Sequence, residues 1–569
     1  MSISLTHTAD WGTKAEHEAV EVATAQLVLG PMLRYVDSTS AVVWVETDAP
    51  CQVEILGVSC PTFALHGHHY GLIELADLAP GSSLPYTVSL AGEQAWPEPG
   101  SKLPPSRIRT VDPEAPVRLV FGSCRTSAPH DVRHNLTHGF DVLRCFANEL
   151  RTTDEPRWPT TLILLGDQVY ADEPPDTVLE FIHKRRGTDD PPTDELRDFD
   201  EFAELYRTAW IDPDIRWLLS TVPTAMIMDD HDLRDDWNTS RAWRDQMAQV
   251  PWWRQRVIGA LGSYWIYQHV GNLSTNERTG DPLLTALRDT DGDGGVLLDE
   301  FAERSYHQPG GTKFSYARDF GQTRFVMIDS RCGRLLTPGN RTMMDDVGWQ
   351  WLVEQATGQY EHLVIGTSLP YLLPAGLHYL EAWNEAVCDG AWGDRAARVG
   401  EKVRQGVDLE HWAAFRRSFD AVAHLLIDLA AGRYGRPPAS VGFLSGDVHY
   451  AYLARASLPA AAADSATSVY QVVCSPIRNP LSGPVRVLNA AASFVVAGLV
   501  GRGLAKTARV PRSPFDWTVT TGPYFRNVLS ALEIDGQRVD VRWVAPNAST
   551  DDPPPLQEIG AQRIHGDHR

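Results

Sequence analysis

The sequence predicts an α/β fold that is preceded by a small β-rich domain. From about residue 115 onward, apolar runs of strand length alternate with amphipathic segments of helical spacing, which is typical of a sheet covered by helices. Before that point the apolar runs are shorter and are separated by turn signals, which favours a small β-sandwich. At 569 residues the chain is long enough to form two or more domains.

The N-terminal part contains short strand patterns and a proline-rich connection. The predicted strands cover residues 41–45, 51–55 and 86–90. The many prolines between Pro97 and Pro105 predict a linker. We therefore expect a polar tail over residues 1–24, followed over residues 25–112 by a β-sandwich of fibronectin or immunoglobulin type together with this linker.

The larger domain is predicted to cover residues 113–546. Its predicted strands are residues 117–122, 161–165, 224–228, 324–328, 362–367, 441–445 and 469–473. Tryptophan-containing amphipathic segments at about residues 174–305 predict a helical cap over the edge of the sheet. Residues 547–569 have a low apolar content and include three consecutive prolines, so we expect a disordered tail.

The composition restricts the classes of function. The net charge of −22 argues against a surface that binds a nucleic-acid duplex, because phosphate backbones attract Lys and Arg. It does not exclude a phosphate substrate, because bound cations can invert the local electric field. No apolar segment reaches the roughly 18 residues that a transmembrane helix needs. Because no secretion signal is recognisable and the seven cysteines are scattered, we expect reduced thiols and a cytoplasmic protein, and the oligomeric state stays open.

Side chains that bind metals or phosphate follow five of the predicted strands. The five segments are Phe121-Gly-Ser-Cys-Arg125, Gly166-Asp-Gln-Val-Tyr170, Asp229-Asp-His-Asp232, Asp329-Ser-Arg331 and Gly446-Asp-Val-His449. Open α/β sheets bind their ligands at the carboxyl ends of strands, so we expect the segments to meet at one edge. Singly, each has a simpler explanation: Gly-Asp after a strand is often a turn, and Cys124 alone is compatible with a buried core thiol.

The types of these side chains indicate transition-metal chemistry. Carboxylate, imidazole, thiolate and phenolate ligands suit transition metals, whereas an all-oxygen set suits magnesium or calcium. Cys124 and Tyr170 need a strongly Lewis-acidic ion such as ferric iron to bind as anions near neutral pH. An aspartate that bridges two ions would place a hydroxide for in-line attack on phosphorus. We expect His231 to assist the leaving oxygen or to orient the phosphate, and Arg125 and Arg331 to hold its non-bridging oxygens.

As a set and in this order, the five segments resemble the motif series of PhoD-type alkaline phosphatases, a branch of the calcineurin-like metallophosphoesterases. The resemblance covers nearly the whole chain, because that family also has an N-terminal β-sandwich. It implies a four-layer αββα metallophosphoesterase domain that hydrolyses phosphomonoesters or phosphodiesters. It also implies two metal ions. The implied ligands of Fe(III) are Cys124, Asp167, Tyr170 and His449, and those of a second cation, calcium or another divalent ion, are Asp167, Asp230 and Asp447.

Two departures from the family pattern bear on function. The family's enzymes are typically exported through twin-arginine signals, and the first thirty residues contain no such pair, which leaves the physiological substrate open. The wider superfamily has a histidine where this sequence has Ser368. The loss of that ligand would weaken the second metal site unless an aspartate compensates.

Residues 289–300 match the EF-hand calcium loop in full and form a second, independent motif. The candidate calcium ligands are Asp289, Asp291, Asp293, the carbonyl of Gly295, and Glu300. Residues 284–288 and 297–306 on either side predict helices. The alternative is an acidic, glycine-rich surface loop that joins these helices without binding calcium. If calcium binds, we expect it to be structural.

The leading functional hypothesis is a metal-dependent phosphoesterase that acts on a small-molecule or lipid phosphate ester. The alternative is a non-catalytic phosphate- or calcium-binding protein on the same scaffold. A serine hydrolase is disfavoured, because the segment around Ser368 lacks the second glycine of a G-x-S-x-G turn. The sequence does not decide between monoester and diester substrates.

Overall fold

In the computed structural model, the N-terminal part of the chain consists of short strands. The structure describes residues 25–308, 310, 314–459, 466–481, 495–547, 549 and 552–566, so the predicted tail over residues 1–24 lies outside the described residues. The strands are β1 (Leu27–Val36), β2 (Ala41–Thr47), β3 (Gln52–Ile55), β4 (Val58–Pro61), β5 (Phe63–Leu65), β6 (His68–Leu75), β7 (Ser83–Pro85), β8 (Val88–Leu90), β9 (Glu93–Trp96) and β10 (Arg107–Arg109). They pair in the orders β1-β2-β6-β5, β4-β3-β8-β9 and β10-β7.

Strand β2 is apolar on both faces because each face packs into a different core. All of its residues are buried. Val43 and Val45 lie in a core formed by the N-terminal strands. Val42 and Trp44 lie in the large core of the rest of the chain, where the Trp44 ring is 5.4 Å from that of Tyr267. Two-sided burial explains the near-continuous apolar run, since a strand with one solvated face alternates apolar and polar residues.

Strands and helices alternate in the remainder of the chain. Up to residue 307 the elements are β11 (Val117–Gly122), α1 (Val132–His138), α2 (Val142–Leu150), β12 (Thr161–Leu165), α3 (Asp176–Arg186), α4 (Phe199–Trp210), α5 (Pro213–Thr221), β13 (Thr224–Ile227), α6 (Arg241–Met247), α7 (Trp253–Tyr264), α8 (Thr275–Thr279), α9 (Pro282–Arg288) and α10 (Gly295–His307). The later elements are β14 (Tyr316–Phe320), β15 (Thr323–Ile328), α11 (Asp346–Ala356), β16 (His362–Thr367), α12 (Ala375–Cys388), α13 (Asp394–Gly406), α14 (Arg416–Ala430), β17 (Ser440–Ser445), β18 (Ala451–Ser457), β19 (Ser468–Val473), α15 (Val495–Thr507), β20 (Asp516–Tyr524), β21 (Leu529–Asp535), β22 (Arg538–Pro546) and β23 (Leu556–His565).

Two large sheets organise this part of the chain. One has the order β13-β12-β11-β21-β22-β23, and the other has the order β14-β15-β16-β17-β19-β18-β20. Strands β11, β12 and β13 run parallel, as do β15, β16, β17 and β19. Leu119 and Leu164 of the first sheet share one apolar core with Phe325, Val364 and Leu444 of the second. The two sheets therefore bury side chains against each other, and the mixed α/β class predicted from the sequence is confirmed.

Helices α11 and α14 cover the outer face of the second large sheet. Leu352 of α11 and Phe419 and Leu426 of α14 lie in one apolar cluster with Ile365 and Phe443 of the sheet. The buried positions of α14 recur at helical spacing, so that one stripe of the helix faces the strands. Among the described helices, none combines the length and the apolar character that crossing a bilayer requires.

All seven strands predicted for the large domain form, but the predicted cap is not a continuous unit. The stretch at about 174–305 contains β13, which pairs with β12 inside the first large sheet. Its helices α3 to α10 therefore belong to segments on both sides of β13, the edge strand of that sheet. The strand predicted at residues 224–228 already lay within the predicted cap, and its pairing with β12 divides the helices of that stretch into two segments.

The C-terminal segment forms a strand, which corrects the prediction of a disordered tail. Strand β23 pairs antiparallel with β22 from Leu556 to His565. Ile564 is buried in the large core, and Arg455 donates to its carbonyl oxygen at 2.9 Å. A strand added to a sheet edge is stabilised mainly by backbone hydrogen bonds, so a segment with few apolar residues can still be ordered.

Candidate metal centre

Cys124, Asp167 and His449 meet beyond the ends of β11, β12 and β17. One ligand atom from each of the three side chains lies within 4.8 Å of those of the other two. Strands β11 and β12 are parallel neighbours in one sheet, whereas β17 belongs to the other. The three residues thus come together beyond the carboxyl ends of strands, as the sequence indicated, but the strands belong to two sheets and not to one edge of a single sheet. We call them the first group.

Two glycines allow the backbone segments of this site to approach closely. A Cβ atom at Gly446 would lie 2.0 Å from the Oγ of Ser123, which precedes Cys124. Gly166 has a φ of +103°, and a Cβ atom there would lie 2.5 Å from the Cβ of Asp229. Any larger residue at either position would force the strand ends apart, and the Gly-Asp pairs of the sequence thereby acquire a physical reason.

Four predicted metal ligands have left-handed backbone conformations. The φ angles are +56° at Cys124, +50° at Asp167, +67° at Asp447 and +56° at His449. Such angles are uncommon for residues other than glycine and cost on the order of 1–3 kcal/mol each. Their concentration in one place indicates that the surrounding fold holds these side chains in a required direction.

Tyr170 lies beside the first group. Its hydroxyl donates to Asp167 Oδ2 at 3.4 Å, and its ring centroid is 4.5 Å from that of His231. Burial raises the pKa of Tyr170 well above its usual range, and the charges of Cys124 and Asp167 add to this effect. Burial likewise raises the pKa of the Cys124 thiol, with contributions from Asp167 and Asp447. Both groups become anionic ligands at neutral pH only if a strong cation reverses these effects.

Two further groups of acidic side chains adjoin the first. The second group is Asp167, Asp229 and Asp230, and the third group is Asp230, Glu410 and Asp447; in each, the three ligand oxygens lie within 4.8 Å of one another. Asp167 and Asp230 are the shared members, so the three groups form one chain of potential ligands. Asp230 and Asp447 are ligands predicted from the sequence, whereas Asp229 and Glu410 are additional members of these groups.

The electrostatics of the first two groups fit a bound cation. Burial raises the pKa of Asp167 and of Asp230 well above the usual range, although His231 and Arg331 respectively oppose the shift. Burial also raises the pKa of Asp229 to about 6. Oδ1 of Asp167 and Oδ2 of Asp229 are buried without a hydrogen-bond partner. Buried carboxylates with free lone pairs are costly unless a cation is bound, so these residues suit a metal centre.

Asp232 holds the backbone of this chain of ligands. Its Oδ2 atom accepts the backbone N–H groups of Asp167 and of Asp229, both at 2.9 Å, and its Oδ1 atom accepts from Gln268 at 2.9 Å. The carboxylate therefore fixes the ends of β12 and β13 relative to each other. The last aspartate of Asp229-Asp-His-Asp232 thus positions the backbone of two group members and is not itself a member of the three groups.

Arg331 is not directed toward solvent, which corrects the prediction that it holds phosphate. Its side chain is fully buried, with Nη1 2.6 Å from Glu410 and Nη2 3.0 Å from Asp230. Its Nε atom donates to Asp229. Burial alone would raise the pKa of Glu410, but the charges of Arg331 and Arg334 lower it to about 2. The guanidinium is thus engaged by carboxylates of the protein itself.

Arg125 is also engaged inside the fold, which corrects its prediction as a phosphate contact. Its Nε atom donates to Asp141 Oδ2 at 2.9 Å, Nη2 lies 2.8 Å from the same oxygen, and Nη1 donates to the Ala209 carbonyl at 2.8 Å. Cys124 faces the metal ligands while the next residue anchors α2. The two adjacent side chains thus have different partners, and a motif read as one unit hides this.

His231 lies at the more open side of the site. Its Nδ1 atom is 3.0 Å from Asp172 Oδ1, and its Nε2 atom is 3.8 Å from Asp235 Oδ1. Burial alone would lower the pKa of His231, but the hydrogen bond to Asp172 and the charges of Asp172 and Asp167 raise it well above its usual range. A protonated imidazole with a free Nε2 side is suited to donate to an oxygen.

His411 contacts the third group from the opposite side. Its Nε2 atom lies 2.7 Å from Asp447 Oδ2, and its Nδ1 atom lies 2.6 Å from Glu381 Oε1. Burial alone would lower the pKa of His411, but Glu381 and Asp447 raise it well above its usual range. Neither Glu410 nor His411 follows a strand, and the acidic run Asp408-Leu-Glu-His411 was the one signal that could have pointed to them.

Comparisons with known proteins bear on this site. Residues 140–291 match the family model of the PhoD-like phosphatases. The predicted resemblance to PhoD-type phosphatases is confirmed. Residues 24–108 match a domain of unknown function, DUF7800. The matched PhoD-like region contains Asp167, Tyr170, Asp229, Asp230 and His231.

A solved structure described as "Structure of PhoD" is similar to this chain over most of its length. The similarity has a TM-score of 0.57 at 12% sequence identity and covers 95% of this chain and 91% of that chain. At this identity the likeness concerns the fold. No curated protein matches the sequence. The PhoD-like architecture thus extends beyond the residues that the family model matches.

The EF-hand pattern at the end of the PhoD-like region does not have the geometry of a calcium loop. Helix α10 begins at Gly295, so the residue expected to offer its carbonyl is already helical. Asp293 Oδ1 accepts the backbone N–H of His66 at 2.9 Å and that of Gly295 at 2.7 Å. Asp289, Asp291 and Glu300 are exposed. Among the described residues, the side-chain groups close enough to hold a metal do not include this loop, which favours the surface-loop alternative.

Ser368, where the superfamily pattern has a histidine, lies within the centre. Its Oγ atom is 2.8 Å from that of Ser330, and its carbonyl accepts from Gly446 N–H at 2.9 Å. The residue therefore supports the strand ends rather than offering a metal ligand. Asp229 lies close to it, since a Cβ atom at Gly166 would be 2.5 Å from the Cβ of Asp229 and 3.2 Å from that of Ser368.

Proposed function

We propose that the protein is a metal-dependent phosphoesterase of the PhoD type. The observation that carries this proposal is the meeting of Cys124, Asp167 and His449 from three strand ends. The ligand atoms of a thiol, a carboxylate and an imidazole lie within 4.8 Å of one another, and Tyr170 lies beside them. These side chains form a donor set for a transition metal. A non-catalytic binding protein on the same scaffold is not favoured, because the predicted metal ligands and His231 are all present.

The donor types favour one trivalent and one divalent ion. Cys124, Asp167, Tyr170 and His449 would hold Fe(III), because thiolate and phenolate prefer a strongly Lewis-acidic ion. Asp167, Asp229 and Asp230 would hold a divalent cation such as calcium, with Asp447 as the further predicted ligand. Such a pair of ions supplies Lewis acidity toward the phosphate ester and a nucleophile from water for in-line displacement.

His231 would donate a proton to the leaving group. Asp172 accepts from Nδ1 and so fixes the ring, which leaves Nε2 as the atom that donates to the departing oxygen. The side chain of His231 is 21% exposed, whereas Cys124, Asp167 and Tyr170 are buried. Substrate would therefore approach from the His231 side.

The finer description of the fold also forms part of the proposal. Helices α11 and α14 against the second sheet, and the shared core of the two sheets, support a four-layer αββα domain over residues 113–546. The N-terminal strands with their own core support a β-sandwich over residues 25–112. The substrate would be a small-molecule or lipid phosphate ester, with both monoesters and diesters open.

Hydrolysis of p-nitrophenyl phosphate and of bis-p-nitrophenyl phosphate by the full chain tests the proposal. We expect turnover that is lost in chelator and falls by about 10²–10³-fold or more in Cys124→Ala and in Asp167→Asn. Metal analysis of the same preparations should show loss of iron in Cys124→Ala. Cys145→Ala, which removes another buried thiol away from the centre, should keep both activity and iron. Turnover that is unaffected by chelator and by both variants would contradict the proposal.

A further inference from the structure

One guanidinium lies among the carboxylates of the third group. Arg331 follows β15 and is fully buried. Its Nη1 atom lies 2.6 Å from Glu410 Oε2, and its Nη2 atom lies 3.0 Å from Asp230 Oδ1. Nη2 is also 3.9 Å from Asp447 Oδ1. All three members of the third group are therefore within ion-pair distance of the same planar cation.

Two other protein cations complete the pairing of this group. Arg334 lies with Nη1 3.3 Å from Glu410 Oε2, and its Nη2 atom donates to the Glu410 carbonyl at 3.1 Å. His411 Nε2 is 2.7 Å from Asp447 Oδ2. Glu410 Oε2 also accepts a hydrogen bond from Thr239. The acidic oxygens of the third group thus have partners on several sides.

The first and second groups keep free carboxylate oxygens, although Arg331 Nε also donates to the other oxygen of Asp229 in the second group. Asp167 Oδ1 and Asp229 Oδ2 are buried and have no hydrogen-bond partner. Glu410 Oε2, in contrast, already has contacts with Arg331, Arg334 and Thr239. A metal ion needs free lone pairs on its ligands. The first and second groups offer them to a metal ion, whereas the oxygens of the third group are already paired with protein cations.

A guanidinium can take the place of a metal ion among such carboxylates. It is always charged, it carries five N–H donors in a fixed plane, and it loses less hydration energy on burial than an ammonium group does. The carboxylates around Arg331 offset the cost of burying its charge, so its location among acids is a built feature of the centre.

We propose that Arg331 is a built-in cation of the third group: its guanidinium occupies the position that a metal ion would take among Asp230, Glu410 and Asp447. It thereby neutralises these acids and positions Asp230, which the second group shares. Arg331 is then a positioning residue and touches no substrate. The inference rests on the proposed function only in that the first two groups are taken to hold metal.

Metal counting on the full chain tests this inference. Wild type, Arg331→Met and Arg331→Lys are saturated with Mn²⁺, freed of excess by gel filtration, and analysed for metal per chain. We expect Arg331→Met to retain about one more Mn²⁺ ion than wild type and to gain more thermal stability from Mn²⁺, because three acids then lack a cation. Arg331→Lys should restore the wild-type count. Arg256→Met, which removes another fully buried arginine paired with a carboxylate, should leave the count unchanged.

A second variant covers the case in which Arg331→Met does not fold. Glu410→Gln removes one acid of the third group and keeps Arg331 with Asp230. If the guanidinium is the resident cation, this variant keeps the wild-type Mn²⁺ count; loss of an ion would overturn the inference, as would equal counts in wild type and Arg331→Met. Iron content and p-nitrophenyl phosphate turnover of the wild type are measured in parallel. A wild type without iron and without turnover would contradict the proposed function, but the difference in Mn²⁺ count between wild type and Arg331→Met would remain.

Discussion

The Nδ1 atom of His231 lies 3.0 Å from the carboxylate of Asp172. The other oxygen of Asp172 also accepts the backbone N–H of Asp235 at 2.8 Å, so the acid is fixed on both sides. This contact raises the pKa of His231 against the opposing effect of burial. The charge state of the imidazole near neutral pH therefore depends on a partner 59 residues earlier in the chain.

Replacing Asp172 should change the pH dependence of turnover. In Asp172→Asn the pKa of His231 falls, so the protonated form is lost at lower pH than in wild type. We expect the alkaline limb of the kcat profile to move to lower pH and turnover at pH 8 to fall about tenfold or more. NMR titration of the imidazole gives an independent reading of the pKa. Asp176→Asn, an exposed acid at the start of α3, serves as the control; a profile parallel to wild type at every pH would contradict the role of Asp172.

His68 should make stability fall at alkaline pH. Its Nδ1 atom is 2.9 Å from Glu46 and its Nε2 atom is 3.6 Å from Asp200 of α4. Burial alone would lower the pKa of His68, but the carboxylates of Asp200 and Glu46 raise it to about 9. A pKa raised by folding gives stability that is complete below the unfolded value of about 6.5 and is lost as pH rises through about 9.

Denaturant unfolding between pH 6 and pH 9.5 measures this contribution. We expect the wild type to lose on the order of 2 kcal/mol over this range, and His68→Gln to lose clearly less. His424→Gln, which replaces an exposed histidine of α14, should follow the wild-type curve. Equal slopes for wild type and His68→Gln would show that the paired imidazole does not link stability to pH.

Most of the fold and half of the centre were predictable from local pattern. Apolar strand-length runs that end in Gly-Asp or in acid-rich segments located the seven strands and the first group, because buried parallel strands lack polar positions except at their ends. Gly166 and Gly446 lie where two backbone segments approach closely, and the need for glycine there is visible in the sequence.

The remainder depended on contacts between distant segments. Glu410 and His411 lie outside the strands, so strand-end reasoning could not include them. Arg125 and Arg331 were expected to face substrate, yet Asp141 and the third group engage them; which partner a buried arginine finds is decided by tertiary packing. The loop at 289–300 satisfies a motif by letter, but Asp293 accepts backbone N–H groups and helix α10 begins too early.

The loop at 289–300 should contribute to stability through Asp293 and not through calcium. Asp293 Oδ2 accepts the Gly67 N–H at 2.6 Å and Oδ1 accepts that of His66 at 2.9 Å. We expect Asp293→Ala to cost about 1–3 kcal/mol, because several backbone donors lose their acceptor. Asp291→Ala, at an exposed position of the same loop, should change stability by less than about 0.5 kcal/mol. Isothermal titration with Ca²⁺ should give the same binding for wild type and Asp291→Ala; a tight site lost in Asp291→Ala would restore the EF-hand interpretation.

Strand β23 should be required for the stability of the first large sheet. Ile564 is 4% exposed within the large core, and its carbonyl accepts from Arg455 of β18, which belongs to the second sheet. Ile564→Ala should therefore cost about 2–4 kcal/mol, because the cavity lies where the two sheets meet. Gln557→Ala, at an exposed position of the same strand, keeps the backbone pairing with β22 and should stay within about 0.5 kcal/mol of wild type. Hydrogen exchange of the β22 backbone amides shows whether β23 is ordered. If it is, exchange should be faster in Ile564→Ala alone. Equal and rapid exchange in wild type and both variants would mean that the segment is unstructured in solution.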